Sequence, residues 1–361
     1  MSKHNNISGN GAAISTIGLD LSDKTAAFCV LDQAGAVAGS GFLRLSREEL
    51  HKQFGQLPPV RIALEACGQS GWVEEVLTAC GHEVIVANAR EVRSISGNSR
   101  KCDARDAEQL ARLARVDPQL LKPVRHHRNA GRRLDMVVIR SRALLVESRT
   151  RLVNGARGMA KLFGERIPAC TTANFGERAQ EALPAALGAA LRVLVEQIEA
   201  LSEAIAVCDQ QIEALAAKMV DSRWLKSVPG VGSLTAVTFL LTLDDPQRFA
   251  HSRDVGPYLG MVPARGQSGE QDPELGISKA GNRYLRKLLV QCAHHILGRY
   301  GADSALRQWG LEKAAGSRKA KKRAIVAVAR KLAVLLHRLW TKRELYKPFP
   351  ANAANARHAV A

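Results

Sequence analysis

The first strongly patterned stretch of this chain restricts its fold more than any other feature. From Ile17 the sequence reads IGLDLSDKTAAFCVLDQAGAVAGSGFLRL. An apolar run, a polar tip at Asp32 to Gly35 and a second alternating run are typical of a β-hairpin. A fold that begins with paired strands must then cover the apolar faces of those strands with later elements.

The elements predicted after the hairpin alternate between helix and strand. A helix over residues 46–54 is indicated by Ser46 as its N-cap, with Glu49 three residues later. The stretch VRIALEACG then gives a strand that ends in Glu65, and it is followed by a helix over 71–80, a strand over 82–88 and a helix that begins near Asp103. This order predicts an α/β domain over residues 15–120.

Four carboxylates lie at the ends of predicted strands or at the start of a predicted helix. Asp20 ends the first apolar strand, Glu65 ends another, and Asp103 and Asp106 lie in the first turn of the later helix. Residues three apart share a helix face, so both aspartates can point at the strand ends. Four carboxylates would repel one another there unless a cation intervened. Oxygen ligands suit Mg²⁺, with Mn²⁺ as the alternative, and paired ions could activate and stabilise the attacking and leaving oxygens of a phosphoryl transfer.

A purely structural interpretation of each carboxylate is also available. Aspartates in a first helical turn favour the helix dipole, and a glutamate at a strand end can be a solvated edge residue. The order of hairpin, strand and helix is that of an RNase H-like, RuvC-type nuclease domain, and the surroundings are strongly basic. Both features favour the metal site.

The formal net charge of +18, with a pI near 10.0, indicates a polyanionic partner. Positive charge can also serve solubility, but here the basic residues cluster. Residues 125–161 form an arginine-rich, helix-like stretch with two acids, and we expect nucleic-acid contacts from its Arg128, Arg132, Arg133 and Arg140.

Two patterns organise the region that follows. Apolar residues from Leu191 to Met219 recur at spacings of three and four, which indicates a coiled-coil arm or a packed helical hairpin, with an intrachain core favoured. The stretch SVPGVG over residues 227–232 is typical both of a helix-hairpin-helix DNA-binding element and of a plain Pro-Gly turn between helices.

Residues 263–282 form a long loop rich in Gly, Ser and Pro, and such loops are often functional. Ser268 could act there as a nucleophile, although spacing alone does not favour it over Ser278, and serine in such a loop is usually a turn residue. Four cations of this region could bind phosphate: Arg265, Lys279, Arg283 and Arg286.

Other classes of protein are disfavoured. The seven cysteines are scattered without a C-x-x-C pair, which argues against a disulfide framework and a structural zinc site. The sequence has no apolar window long enough for a transmembrane helix and no secretory signal, so we expect a cytoplasmic, nucleoid-associated protein without a membrane partner.

Taken in order, IGLD, LEACG, KCDARDAEQLA, SVPGVG-x-x-TA, FAHSRDVGPYLGMVPARGQSG and SKAGNRYLRKLL resemble the DEDD transposases of the bacterial insertion sequence one-hundred-and-ten family, over about residues 15–340. The resemblance implies a RuvC-like domain whose Asp20, Glu65, Asp103 and Asp106 bind Mg²⁺. It also implies a transposase domain in which Ser268 attacks DNA and forms a phosphoserine link.

The resemblance further implies a homo-oligomer, a dimer or tetramer, whose composite site joins domains of different subunits. Its partners would be donor and target DNA and a structured non-coding bridge RNA. Five segments are expected: a disordered leader (1–14), the RuvC-like domain (15–120), an arginine-rich helix and coiled coil (121–222), a mostly helical transposase domain with a helix-hairpin-helix-like element (223–345), and a disordered tail (346–361).

Three functions remain open at this point. The first is an RNA-guided recombinase that excises and inserts its own element. The second is a RuvC-like nuclease or junction resolvase that uses metal-activated water, with Ser268 as a loop residue. The third is a catalytically inactive RNA- and DNA-binding protein.

Overall fold

The computed structural model of the protein describes residues 7, 14–88, 102–124, 130–264 and 276–349. The chain forms two compact units, Met1–Ala130 and Gly131–Ala361. The first contains a five-stranded β-sheet with helices, and the second is mostly helical among its described residues. The expected combination of an N-terminal α/β region with a helical C-terminal part is confirmed at this level.

The sheet of the first unit places its two central strands side by side and parallel. Its strands are β1 (Ile14–Leu21), β2 (Thr25–Asp32), β3 (Val37–Arg44), β4 (Arg61–Glu65) and β5 (Glu83–Ala87). They lie in the order β3-β2-β1-β4-β5. The first three strands are antiparallel, whereas β4 runs parallel to both β1 and β5. The carboxyl ends of β1 and β4 therefore meet at one edge of the sheet.

Two tight turns build the antiparallel half of the sheet. The predicted tip after Asp32 is present: the Asp32 carbonyl accepts the N–H of Gly35, whose φ is +86°, and the Asp32 carboxylate accepts the N–H of Ala36 at 2.8 Å. The earlier turn, where the N–H of Ser22 donates to the carbonyl of Thr25, was not predicted from the sequence. That turn divides the first apolar run into β1 and β2.

Helices cover both faces of the sheet. They are α1 (Arg47–Phe54), α2 (Ser70–Ala79) and α3 (Asp103–Val116), with a 3₁₀ turn at Pro118–Leu121. The predicted cap of α1 is confirmed, because the Ser46 hydroxyl accepts the N–H of Glu49 at 3.2 Å. Side chains such as Ile17 and Leu64 pack towards α1 and α2. Their strand neighbours alternate to the other face, where α3 packs.

The packing of α3 on β1 requires a glycine. A Cβ atom on Gly18 would lie 1.9 Å from the Ala107 carbonyl oxygen and 2.7 Å from the Ala111 nitrogen, both in the backbone of α3. The helix consequently lies directly on the strand, with Ala107 and Ala111 fully buried. This close contact fixes the position of α3 along β1.

The second unit begins with two long helices that lie antiparallel to each other. They are α4 (Ala130–Leu162) and α6 (Ala185–Lys218), and the short α5 (Phe175–Ala182) precedes α6. Met136, near the start of α4, shares a cluster with Ile212 near the end of α6. Val153, further along α4, shares another with Leu191 near the start of α6. The heptad pattern thus forms a helical hairpin within the chain, with Leu191, Ile198, Ile205 and Ile212 buried at intervals of seven residues.

The remaining helices surround one that is almost completely buried. They are α7 (Ser222–Lys226), α8 (Ser233–Leu243), α9 (Val255–Tyr258), α10 (Arg283–Leu297), α11 (Ala305–Ala314) and α12 (Arg318–Lys342). Every side chain of α8 except the half-buried Leu234 is buried, and Phe239 shares a core with Leu289 of α10 and Leu332 of α12. A helix without a charged side chain on any face is expected in such a central position.

The SVPGVG stretch forms the turn between α7 and α8. Gly230 has a φ of +91°, and Val228 and Val231 are buried. The Ser233 hydroxyl, at the start of α8, donates to the Glu213 carboxylate at 2.6 Å. A carboxylate beside this helix start disfavours a bound phosphate. The contacts therefore favour a structural turn over a DNA-binding hairpin.

Parts of both expected terminal segments have defined positions. Ile7, within the expected leader, is 4% exposed, and its N–H donates to the Gln53 side chain. The N–H of Tyr346 donates to Ser227, and the carbonyl of Pro348 accepts the N–H of Ala305. Packing thus extends beyond the expected boundary at residue 345. The rest of the expected leader up to residue 13, and the tail from residue 350, lie outside the described residues.

No helix among the described residues combines the length and apolar character that crossing a membrane requires.

Substitution of Gly18 by alanine should destabilise the first unit. The added Cβ would overlap the α3 backbone, which cannot rotate away, so we expect a loss of about 3 kcal/mol. Hydrogen–deuterium exchange of β1 and α3 peptides would measure it. Gly68→Ala is the matched control, because a Cβ there meets nothing within 4 Å. Equal exchange protection in both variants would contradict the assigned packing.

Candidate active site

Asp20 and Glu65 lie at the same level of the sheet. The register of β1 with β4 pairs Leu19 with Leu64, and the two carboxylates come one residue later on each strand. Gly18 faces α3, as does Ala63. Because side chains alternate along a strand, Asp20 and Glu65 extend from this same face. The two predicted strand-end carboxylates are thus neighbours on the α3 side of the sheet.

The direction of α3 brings its first turn to these strand ends. Near the start of β4, the Arg61 guanidinium donates to the carbonyl of Ala114, close to the end of α3. Halfway along β1, Gly18 meets Ala107. The helix therefore runs opposite to β1 and β4, and Asp103 at its start lies towards the end that carries the other carboxylates.

Within α3, both aspartates continue the rows of residues that pack on the sheet. Asp103 lies four positions before Ala107, and Asp106 lies four positions before Leu110, which are both fully buried. Asp103 is exposed and Asp106 is half-buried, as are Asp20 and Glu65. The side chains are accessible, as metal ligands or substrate contacts must be.

The four carboxylates lie at one end of the sheet, but they do not form a preorganised coordination shell. Among the described residues, no three acidic, histidine or cysteine side chains are close enough together to hold a metal ion. Carboxylates brought close together repel one another, and a bound divalent cation would offset that repulsion. Their oxygen-only chemistry and their common position suit a hard cation such as Mg²⁺.

The segment that contains Ser268 is joined to the second unit by a hydrogen-bonded base. Residues 265–275, including Ser268 and Arg265, lie outside the described residues. On either side of them, Pro263 and Ile277 form an antiparallel bridge, and the N–H of Ala264 donates to the carbonyl of Gly276 at 2.9 Å. The two ends of the segment are consequently adjacent.

Close backbone contacts fix this base further. Gly281 has a φ of +72°, and a Cβ atom there would lie 2.1 Å from the Tyr258 carbonyl oxygen. Gly260 has a φ of +64°, and its Cβ would meet the backbone of Ala280 at 2.2 Å. Glycines are therefore required at both positions.

The described cations of this loop differ in what they can contact. Lys279 and Arg283 are exposed, as a phosphate contact requires. Arg286 is 9% exposed, and its Nη1 donates to the carbonyls of Leu259 and Ala280. Burial, together with the charge of Arg283, lowers the pKa of the Arg286 guanidinium. Its contacts favour an anchoring role at the loop base over direct contact with nucleic acid.

Some arginines of α4 have anionic partners within the chain. Arg132 donates to the carbonyl of Asp244 and pairs with its buried carboxylate, which holds the end of α8. Arg142 pairs with Asp209 of α6, and this hydrogen bond raises the pKa of the arginine. Arg140 is exposed, Arg133 is half-buried, and Arg128 lies outside the described residues.

A set of cations on α12 was not among the predicted nucleic-acid contacts. Lys322, Arg330 and Arg338 follow one another at intervals of eight residues and line a groove with Val326 and Val334 between them. The signal was present in the sequence, as cations alternating with apolar residues every fourth position. It was hidden because the same helix also carries the apolar stripe of the core.

Comparisons with known proteins identify the family of the chain. A family of DEDD transposases of the IS110 type, described as "Transposase", matches residues 17–163, which include all four carboxylates. Another, described as "Transposase IS116/IS110/IS902 family", matches residues 222–308, which include Ser268.

Relatives that match most of the chain agree with both matches. The chain is 30% identical over 343 residues to a "Probable family 20 transposase" of Pseudomonas aeruginosa, covering 93% of this chain and 99% of the relative. It is 28% identical to the transposase for insertion sequence element IS1111A of Coxiella burnetii, covering 92% of each chain. It is 28% identical to the transposase for IS1328 of Yersinia enterocolitica, over 74% of this chain and 80% of the relative. With its carboxylates and its serine each inside a matched region, the chain belongs to the DEDD transposases of the IS110 family.

Proposed function

We propose that this transposase excises and inserts its insertion sequence by cutting and rejoining DNA strands through a covalent link at Ser268. A structured bridge RNA guides it to donor and target DNA. One observation carries the proposal: the carboxylates at the ends of β1 and β4 and at the start of α3 share one end and one face of the sheet. The strand order supports an RNase H-like, RuvC-type domain.

Asp20, Glu65, Asp103 and Asp106 would hold the divalent cation, with Mg²⁺ as the expected ion and Mn²⁺ as the alternative. Such an ion neutralises charge on a phosphate and stabilises a departing oxygen. The family supports dependence on a divalent metal. The protein's own contribution is to keep the four carboxylates at one sheet end by packing α3 against Gly18.

The serine step exchanges one phosphate ester for another. The Ser268 oxygen bonds to the phosphorus of a DNA phosphodiester and gives up its proton to a base or water. The phosphorus–oxygen bond to one neighbouring sugar breaks, and that sugar oxygen leaves as a hydroxyl after taking up a proton. Attack by a DNA hydroxyl on the phosphoserine then reverses the exchange and joins new strands.

Charge and family support nucleic-acid partners. The net charge of +18 favours binding of DNA and RNA phosphates by counterion release. Exposed Lys279, Arg283 and Arg140 are candidate contacts on described parts of the chain. We also propose a homo-oligomer, a dimer or tetramer, in which the serine and the carboxylates of different subunits act on the same DNA.

Removing the charge of one carboxylate of the α3 pair should strongly slow strand cleavage. Asp103→Asn or Asp106→Asn keeps the shape of the side chain but removes its charge, so we expect loss of about 100-fold or more in rate, roughly 3 kcal/mol. Binding of Mn²⁺, followed by electron paramagnetic resonance, should weaken in parallel. Glu108→Gln is the control, because Glu108 lies on the same helix and pairs with Arg112. Unchanged Mn²⁺ binding in the aspartate variants would refute the metal site.

Replacing Ser268 should eliminate a covalent protein–DNA adduct. Wild-type protein incubated with labelled donor DNA and Mg²⁺ should give an adduct that survives denaturation, and Ser268→Ala should give none. Ser278→Ala is the matched control, because Ser278 is exposed at the loop base and its backbone N–H bonds to Val262. An adduct that persists in Ser268→Ala would identify another nucleophile. Cleavage by the wild type without any adduct would instead indicate a nuclease that uses activated water.

Guidance by RNA predicts a specific co-purifying molecule. Sequencing the RNA that remains bound to the protein, expressed with the DNA that flanks its gene, should give one structured RNA with loops that match donor and target sequences. A mixture of cellular RNAs without such loops would contradict guidance while leaving the serine chemistry intact.

A further inference from the structure

A large groove lies in the second unit beside the base of the Ser268 segment. Its volume is about 1170 Å³. The backbone at Pro263, Gly276 and Ile277 forms one wall, α12 forms another, and α11 contributes Leu306 and Trp309. The groove therefore adjoins the two points where the chain enters and leaves the segment that carries the proposed nucleophile.

The wall formed by α12 alternates positive and apolar side chains. One row consists of Lys322, Val326, Arg330, Val334 and Arg338, each four residues from the next. The five cations of this wall are exposed. Residues four apart lie above one another on a helix, so the row spans about 24 Å along the groove. A second row runs beside it: Arg323, Ala327, Lys331 and Leu335.

The charge of the groove has one sign. Lys347 adds a sixth cation to the five on α12, and none of the described lining residues is acidic. The Lys331 ammonium lies 3.7 Å from the centre of the Trp309 ring. Burial, with the charge of Lys313, lowers the pKa of Lys331. Six cations around an apolar floor, with no acidic side chain among the described lining residues, indicate a polyanionic occupant.

The apolar floor distinguishes an unpaired strand from a duplex. A duplex presents phosphates and stacked pairs, which suit a flat basic surface. An unpaired strand exposes base faces that can lie on apolar and aromatic side chains while its phosphates reach a basic rim. The half-buried valines, with Trp309 and Tyr346, provide such a floor between the cations.

The strand that reaches Ser268 in the proposed function is DNA, and the lining side chains offer little that would select RNA instead. Lysine, arginine and tryptophan only donate hydrogen bonds, and Tyr346 carries the one side-chain hydroxyl among the described lining residues. The proton of a ribose 2′-hydroxyl would find few side-chain acceptors there, whereas deoxyribose presents a C–H group.

We propose that this groove binds the unpaired DNA strand next to the scissile phosphate, with its bases on the apolar floor and its phosphates on the α12 cations. The inference rests on the proposed function, since it assigns to the transposase a path for the strand that reaches Ser268. It explains why α12 carries cations on the face that the core does not use.

The test measures DNA binding without catalysis. In a Ser268→Ala background, affinity for a fluorescent single-stranded oligodeoxynucleotide is compared between the parent and the double variant Arg330→Gln, Arg338→Gln. We expect a loss of at least 10-fold, and a salt dependence shallower by about 1.4 because two phosphate contacts are removed at about 0.7 each. The control is Lys321→Gln with Lys342→Gln, since both lysines are exposed on α12 and outside the groove.

Photocrosslinking gives an independent readout if a variant folds poorly. An oligonucleotide containing 5-iododeoxyuridine should crosslink in the parent protein to peptides that contain Trp309 or Tyr346. Equal losses in the groove and control variants, crosslinks confined to other peptides, or tighter binding of duplex DNA or single-stranded RNA would overturn the proposal. Because Ser268 is replaced in every variant of this test, DNA binding in the groove is measured independently of the serine adduct. Failure of the groove proposal and failure of the proposed serine chemistry are therefore distinguishable.

Discussion

The contact between Gly18 of β1 and the backbone of α3 fixes the position of this helix along the sheet of the first unit. A carboxylate on a strand end has a fixed height in the sheet, whereas a helix can slide along its axis unless something fixes it. The carbonyl of Ala107 lies in the space that a side chain on Gly18 would fill, so the helix position is set by backbone packing. Asp103 and Asp106 thereby acquire a defined position relative to Asp20 and Glu65, although the four are distant in sequence.

Local signals explain the parts of this fold that were predictable. Ser46 and Glu49 indicate the start of α1. The turn after Asp32 is stabilised by the Asp32 carboxylate, which accepts a backbone hydrogen bond. The carboxylates could be assigned to one sheet end because parallel strands bring their carboxyl ends together. The turn at Ser22 was missed because the apolar residues on both sides of it form one continuous pattern. Whether the four carboxylates are the metal ligands stays a prediction.

Other features depended on contacts that no spacing reveals. The guanidinium of Arg286 is chemically suited to bind phosphate, but it is buried and donates to two backbone carbonyls. Arg132 is similarly bound to Asp244, 112 residues away. The heptads of α6 were compatible with an arm or a hairpin. The hairpin forms because apolar residues of α4 pack against α6. In the sequence, those residues are interspersed among the many arginines of α4. The groove on α12 was hidden because one helix serves both the core and a charged wall.

The hydrogen-bonded base at Ala264 and Gly276 allows the Ser268 segment to change during evolution independently of the core. Both ends are held by backbone groups and by glycines in close contact, so the base does not depend on which side chains lie between them. Each doubling of the length of chain between two fixed ends costs only about 0.6 kcal/mol in closure entropy. Related elements could therefore lengthen, shorten or exchange this segment while the helices behind it keep their sequence.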